Sequence, residues 1–301
     1  MTAPFEYCRP TSLDEAFALL EEHGDDARPV AGGTALVILM KQGLVRPSVL
    51  IALDGIGELR GISEADDGLR IRAMTTHREA EMSPIVRSLA PLLAETLSHV
   101  ATIRIRNVAT LGGNIAHADP NQDPPVALIA LGARLTLAGK RGTRIVAVED
   151  FFSDYYETVL DDGELLTGID VPSLPANAGM SYLKFLPRSA DDYATVSAGA
   201  VVRLDPAGEL CEEARVAVGS AAGVPVRASR VETALVGRAP TAEVFREAAV
   251  QVREEVDPIV DGRGSAEYKR DMVEVFVRRV LEQAFARARA SAAGKDPLPK
   301  L

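Results

Sequence analysis

The sequence predicts an α+β fold in two parts. Strand-like and helical stretches alternate up to about residue 171, whereas beyond residue 179 three strand-like runs come first and three helical patterns follow. Between them lies Pro172-Ser-Leu-Pro-Ala-Asn-Ala-Gly179, rich in prolines and small residues of the kind that join domains. The expected boundaries are an N-terminal domain over 1–175, a C-terminal domain over 176–290 and a frayed tail over 291–301.

Each element has a local reason. Phe5 to Cys8 is short and apolar-rich, and reads as a strand. Ser12-Leu-Asp-Glu15 is a capping box, Ala16, Leu19 and Leu20 continue at helical spacing, and Gly24 lies just past the end. Arg28 to Ala31 reads as a strand running into Gly32-Gly33, followed by a helix-compatible Ala35–Lys41 and a buried strand, Pro47–Ala52. Leu69-Arg-Ile-Arg72 alternates with period two, and Thr76 caps a short helix through Glu79. Pro91–Val100 carries a helical stripe of Leu92, Leu93, Leu97 and Val100. Ile103-Arg-Ile-Arg106 alternates again, which predicts a strand with Arg104 and Arg106 on its polar side. Pro125–Leu131 is an apolar helix opened by proline, and Arg134–Ala138 with Arg144–Val148 form a hairpin around Gly139–Gly142. In the second part the strands are Met180–Phe185, Ala194–Leu204 and Ala214–Val218. The helices are Ser229–Val236, Ala242–Glu254 and Ala266–Ala290, the last with Val273, Val277, Val280, Leu281, Ala284 and Ala288 on one side.

Composition narrows the function. At 301 residues, with 47 % hydrophobic and 25 % charged, the chain is globular rather than disordered, and long enough for two domains. The net charge of −10 argues against a nucleic-acid partner, which calls for a basic face. It leaves room for an anionic small ligand, because clustered backbone N–H groups override net charge locally. Two distant cysteines, Cys8 and Cys211, make no disulfide framework and are half of what an all-cysteine iron–sulfur cluster needs. Four histidines and these cysteines show no metal-ligand spacing. With no apolar run long enough to span a membrane and no secretory start, the expected compartment is the cytoplasm.

Two glycine pairs carry the chemistry. In Val30-Ala-Gly-Gly-Thr-Ala-Leu-Val37 a strand ends, two glycines turn the chain and a helix begins, exposing unpaired N–H groups beside the Thr34 hydroxyl. In Thr110-Leu-Gly-Gly-Asn114 a threonine again adjoins a glycine pair, whose N–H groups can form an anion nest. Each alone is compatible with an ordinary turn; together they fit the two ends of one diphosphate. Neither is a Gly-x-Gly-x-x-Gly fingerprint. Downstream, Asp119 and Asp123 can cap the Pro125 helix, or Asp123 can accept from a ribose or a base. His117 can touch a flavin edge or serve as a structural histidine.

The paired segments Ala31-Gly-Gly-Thr34 and Thr110-Leu-Gly-Gly-Asn114, with Arg106-Asn107, His117-Ala-Asp-Pro120 and Asp123, resemble the FAD-binding medium subunits of molybdenum hydroxylases, the carbon monoxide dehydrogenase and xanthine dehydrogenase family. The resemblance continues through Leu165-Leu166 and Lys184-Phe-Leu-Pro-Arg-Ser-Ala-Asp-Asp-Tyr-Ala194. It implies a two-subdomain fold of the vanillyl-alcohol-oxidase (PCMH) type, divided near residue 55, with FAD between the subdomains. A C-terminal domain with a three-stranded sheet and a helical bundle completes it. It also implies site residues: Val30, Ala31, Gly32, Gly33, Thr34, Ala35, Leu36 and Val37, and Thr110, Leu111, Gly112, Gly113 and Asn114, on the diphosphate. Val100 packs against the flavin side, Asp123 makes a polar contact, and Leu166 and Lys184 are later contacts. Ala35 departs from the serine many relatives carry there, removing one hydroxyl.

The implied role is an electron-transfer subunit of a heterotrimeric oxidoreductase. A large molybdopterin subunit oxidises substrate, a small subunit with two iron–sulfur clusters relays electrons, and FAD in this chain passes them to an external acceptor. No acid–base pair or activated nucleophile stands out. Lys184 is the best charge to sit near the flavin, the other reading being an exposed strand lysine, and Tyr193 is a weaker candidate for stacking or gating. Arg104 and Arg106 can dock an acidic iron–sulfur partner or simply line a solvated face. Two other classes remain: a self-contained flavin oxidase, which a covalent flavin on His117 would support, and a non-catalytic nucleotide-binding assembly subunit, toward which Ala35 points.

Overall fold

The computed structural model describes residues 4–175, 177–187, 189 and 191–292; the expected tail beyond Ala292, like Ala176 in the proline-rich junction, lies outside the described residues. Strands β1 (Glu6–Cys8), β2 (Ala27–Val30) and β3 (Val49–Ala52) form a parallel sheet in the order β1-β3-β2. The chain between them passes through helices α1 (Leu13–His23) and α2 (Leu36–Gln42). Ser12 caps α1 by accepting from the Glu15 N–H, but the Glu15 carboxylate reaches one residue further back than a capping box requires, to the Thr11 N–H at 2.7 Å. The central strand β3 is buried at every position, as its place between two parallel neighbours demands.

A second sheet is antiparallel throughout, in the order β4-β5-β10-β6-β7. It comprises β4 (Ile62–Ala65), β5 (Gly68–Arg72), β6 (Arg134–Gly139), β7 (Gly142–Ala147) and β10 (Leu165–Pro172). Between β5 and β6 run six helices: α3 (His77–Met82), α4 (Pro84–Leu89), α5 (Pro91–Ser98), α6 (Ile103–Arg106), α7 (Leu111–His117) and α8 (Pro124–Ala130). Leu92, Leu93 and Leu97 of α5 meet Val126 and Leu128 of α8 in the central core, fully buried. A small ribbon, β8 (Phe152–Asp154) with β9 (Glu157–Thr158), turns at Tyr156, whose φ of 58° is left-handed.

Ile103–Arg106 is a helical turn, not a strand, capped by the Thr102 hydroxyl accepting from the Ile105 N–H. Its alternation carried no strand information, because four residues are too few to separate a period of two from 3.6. Arg106 is therefore not on a solvated strand face. It pairs with Glu81 at 3.0 Å and donates to the Val100 and Ala101 carbonyls at 2.8 and 3.0 Å, so it is committed inside the chain and not available to a partner.

The C-terminal sheet has four strands, not three, in the order β11 (Ala178–Lys184), β12 (Ser197–Leu204), β13 (Cys211–Gly219) and β14 (Val226–Arg227). The added edge strand is two residues long, too short to leave a periodic signal. Helices α9 (Ser229–Leu235), α10 (Ala242–Val250) and α11 (Ala266–Ala292) follow; α10 ends earlier than expected because Gln251–Glu254 tightens into a 3-10 turn. This sheet is buried on both faces. Met180, Tyr182, Val201 and Ala217 face the central core with α8, while Ala198, Val202, Val216 and Val218 face the second core with α11. Arg287 of α11 also clamps α5 to β11, meeting Glu95 at 2.8 and 2.9 Å and the Met180 carbonyl at 2.7 Å.

Candidate functional site

The fold brings the two glycine pairs together. A Cβ on Gly32 would lie 2.1 Å from the Val108 carbonyl oxygen, and one on Gly113 would lie 3.0 Å from the Ala31 Cβ. The first segment, leaving β2, therefore rests against the residues that lead into the second. Only glycine permits this approach of backbone to backbone.

The first segment leaves its donors open. Among the described residues no protein group accepts the N–H of Gly32, Gly33, Thr34 or Ala35, and the Thr34 hydroxyl makes no hydrogen bond. Ala35 occupies the N-cap of α2 without capping it. Gly33 turns the chain at φ +68°. Residues 30–36 are half-buried, and Val37 is exposed. A run of unpaired N–H groups beside a hydroxyl can cradle phosphate oxygens.

The second segment is not the nest expected from its sequence. It forms the first turn of α7, and its N–H groups are taken within the protein. Leu111 donates to the Thr75 carbonyl at 3.0 Å and Gly112 to the Ala73 carbonyl at 2.8 Å. Gly113 donates to the Thr110 hydroxyl at 3.1 Å and Asn114 to the Thr110 carbonyl at 2.9 Å. What this segment still offers is the Asn114 Oδ1, which is buried without a partner, beside the Gly113–Ala31 contact. Such an orphan acceptor is rare in a native interior and fits a bound group with donors of its own. Below the segment, the Ala109 carbonyl accepts from the N–H of buried His77, whose pKa burial pushes down to about 4.

His117, at the end of α7, meets the Tyr156 ring at a tilt, with centroids 5.2 Å apart, and burial lowers its pKa against the opposing pull of Asp119. Asp119 does not cap α8. It accepts from the Asn121 N–H at 2.9 Å and from the Tyr156 hydroxyl at 3.2 Å. Asp123 stands at the α8 N-cap but bonds no helix N–H. Its two oxygens accept instead from Tyr182 and, at 2.8 Å, from Lys184, both on β11. Burial raises the Asp123 pKa, opposed by Lys184 and Tyr182, and burial with that carboxylate raises the Tyr182 pKa well above 10. The Lys184 side chain is 3 % exposed and paired with Asp123, so it is not the exposed strand lysine that was its other reading. Val100 is buried in the central core, and Leu166 lies opposite Leu137 beside a register shift in β10.

Sequence reading overlooked Ala73, Thr75 and Tyr182. The first two act through carbonyls and leave no side-chain signal. Tyr182 was legible in principle, two residues before Lys184 on a strand and hence on the same face.

Residues 3–174 match the family model described as the FAD binding domain in molybdopterin dehydrogenase, and residues 181–284 match the CO dehydrogenase flavoprotein C-terminal domain. The chain is 39 % identical to the carbon monoxide dehydrogenase medium chain of Afipia carboxidovorans, over 95 % of this chain and 98 % of that one. It is 32 % identical to the 6-hydroxypseudooxynicotine dehydrogenase complex subunit alpha of Paenarthrobacter nicotinovorans, over 97 % and 98 %. Its fold superposes with a TM-score of 0.92 on a chain of reconstituted CO dehydrogenase from Oligotropha carboxidovorans, at 37 % identity, covering 95 % of this chain and 99 % of that one.

Proposed function

The chain belongs to the family of FAD-binding medium chains of molybdenum-containing dehydrogenases, and on that premise we propose that it is the electron-transfer subunit of such a complex. It takes electrons from a small iron–sulfur subunit served by a large molybdopterin subunit, and passes them to an external acceptor. Bound FAD supplies the redox chemistry. The chain's own residues bind and orient it. Gly32, Gly33, Thr34 and Ala35 turn their N–H groups to the diphosphate, and the Asn114 amide oxygen accepts from the cofactor. Val100, His117 and Leu166 bound the flavin end, while Asp123 and Lys184 hold each other and fix the first strand of the C-terminal part beside it. The FAD lies between the parallel sheet and the antiparallel sheet, in the manner of the vanillyl-alcohol-oxidase type.

The observation that carries this reading is the open row of N–H groups in the first segment, set against the lead-in to the second at Gly32, where a Cβ would lie 2.1 Å from the Val108 carbonyl oxygen. Among the described residues no cluster of histidine, cysteine or carboxylate suits a metal, and the two cysteines are free thiols. On this reading the iron–sulfur clusters belong to a partner subunit and the compartment is the cytoplasm. No described helix is long and apolar enough to cross a membrane.

The visible spectrum of the purified chain during FAD titration is the test. One noncovalent FAD per chain, released on denaturation and lost in Gly32→Ala, is expected. A folded sample without flavin bands in excess FAD overturns the reading; a flavin that stays attached on denaturation moves it to a self-contained oxidase.

A further inference from the structure

A cavity of about 330 Å³ lies where the two parts of the chain meet, between the α4–α5 corner, the linker before β11 and the last turns of α11. None of its lining residues belongs to the site described above. Its walls are mostly apolar, Pro91, Leu174 and Met180 among them, and no described residue that lines it is acidic. An apolar pocket of this size at a domain junction, with a few polar groups turned into it, has the usual form of a small-molecule site.

Four donors around this cavity are uncommitted. Arg87 donates through Nε to the Glu81 carbonyl at 2.9 Å and through Nη2 to the Met82 thioether at 3.2 Å. Its Nη1 has no partner among the described residues, and none of their carboxylates pairs with this half-buried guanidinium. Arg287 meets Glu95 and the Met180 carbonyl through Nη1 and Nη2, which leaves its Nε free. The hydroxyls of Ser88 and Ser291 likewise make no hydrogen bond to a described residue. Charge then sets the class of ligand. Glu95 matches Arg287, their side chains 12 % and 16 % exposed, so the cavity carries one net positive charge, that of Arg87. A half-buried cation beside apolar walls is stabilised by an anion that meets it through charged hydrogen bonds. A single charge on an apolar wall fits a monoanion with an apolar body rather than a phosphate.

We propose that this cavity binds a small organic monocarboxylate. The carboxylate meets the free Arg87 donor, with the two serine hydroxyls and the Arg287 Nε to fill its remaining acceptor sites, and the apolar body lies against Pro91, Leu174 and Met180. Arg87 belongs to the first part of the chain and Arg287 to the second, so the bound anion ties α4 to α11 and reinforces the join that the Arg287–Glu95 clamp makes. The site does not depend on the FAD reading.

The probe is benzoate, titrated calorimetrically into the full chain, with benzamide as its neutral counterpart of the same shape. Benzoate is expected to bind saturably and to raise the unfolding temperature, as a ligand of the native state must. Benzamide, which lacks the charge, is expected to bind about tenfold more weakly or less well still. Arg87→Gln is expected to weaken benzoate binding by about ten- to a hundredfold, the factor that one hydrogen bond to a charged group contributes. Ser88→Glu, at an exposed position, sets a carboxylate at the rim and is expected to abolish binding while the ligand-free chain unfolds like the parent. FAD uptake stays unchanged in both variants, which separates this site from the flavin's. A folded chain that takes up no benzoate overturns the proposal. So does benzoate that binds no better than benzamide, or equally well to the parent and to Arg87→Gln. Where Arg87→Gln does not fold, undiminished binding to Ser88→Glu overturns it instead.

Discussion

Two segments of this chain share a threonine beside a glycine pair, and the fold uses them in opposite ways. At Gly32–Ala35 the N–H groups find no protein acceptor, and the helix that follows has no side-chain cap. At Leu111–Asn114 every N–H is taken, two by carbonyls of the 73–75 stretch and two by Thr110, which caps α7. The first keeps its donors open, as the proposed FAD site requires; the second satisfies its own and packs against the first. A residue pattern specifies that backbone can come close to something. Whether that something is a ligand or another part of the chain depends on what the tertiary structure puts there.

The comparison predicts that changes at groups already satisfied by the protein cost stability, and changes at open groups cost FAD affinity. The largest effect is expected at the buried pair. Lys184→Met leaves Asp123 buried without its cation and is expected to cost about 3–5 kcal/mol in urea unfolding, with Asp123→Leu in the same chain restoring much of it. If the single variant unfolds like the parent, the pair is not committed to the fold.

Next comes the histidine beneath the second segment. His77 has a folded pKa of about 4 against an ordinary 6.5, so between those values the unfolded chain binds more protons. Its contribution is full above pH 6.5 and is lost as the pH falls toward 4, for roughly 3 kcal/mol in all. Unfolding free energies at pH 7 and pH 5 should differ in this sense, and His77→Gln should flatten the slope.

A smaller effect is expected at Gly112, where a Cβ would lie 2.5 Å from the Ala73 Cβ. Gly112→Ala should cost about 1–3 kcal/mol by overpacking. The loss should be present without FAD; a loss seen only with FAD would make this segment a ligand surface after all.

The finest test pairs the two threonines. Thr110→Ala removes a helix cap and should lower stability by about 1 kcal/mol without FAD present. Thr34→Ala should leave unfolding of the cofactor-free chain unchanged and weaken FAD binding by about two- to tenfold, the worth of one hydrogen bond. Ala35→Ser should act in the opposite direction on affinity. Calorimetric titration beside thermal unfolding separates the two outcomes.

Much of the fold was legible because its signals are local. Thr76 and Glu79 form the full capping box, with the Glu79 carboxylate on the Thr76 N–H at 2.7 Å. The hairpin at 134–147 follows its alternation and its glycines. What failed was short: the four-residue α6, the two-residue β14 and the β8–β9 ribbon lack the length over which a period is defined. In the site, the two glycine pairs were visible, as were Asp123 and Lys184 as separate polar residues; that the N–H groups of the second pair are taken by the protein was not. Nor was the pairing of Asp123 with Lys184, since they are 61 positions apart and meet only when the C-terminal sheet packs on α8.

The sequence by itself determined where close backbone approach is possible, where helices start, and that this chain lacks the cysteines to hold clusters of its own. Those follow from the stereochemistry of glycine, the hydrogen-bonding reach of threonine and serine, and simple counting. Only the tertiary structure decided which N–H groups remain open and which charges are buried beside a partner. These depend on what lies within about 4 Å in space, and no local period encodes that.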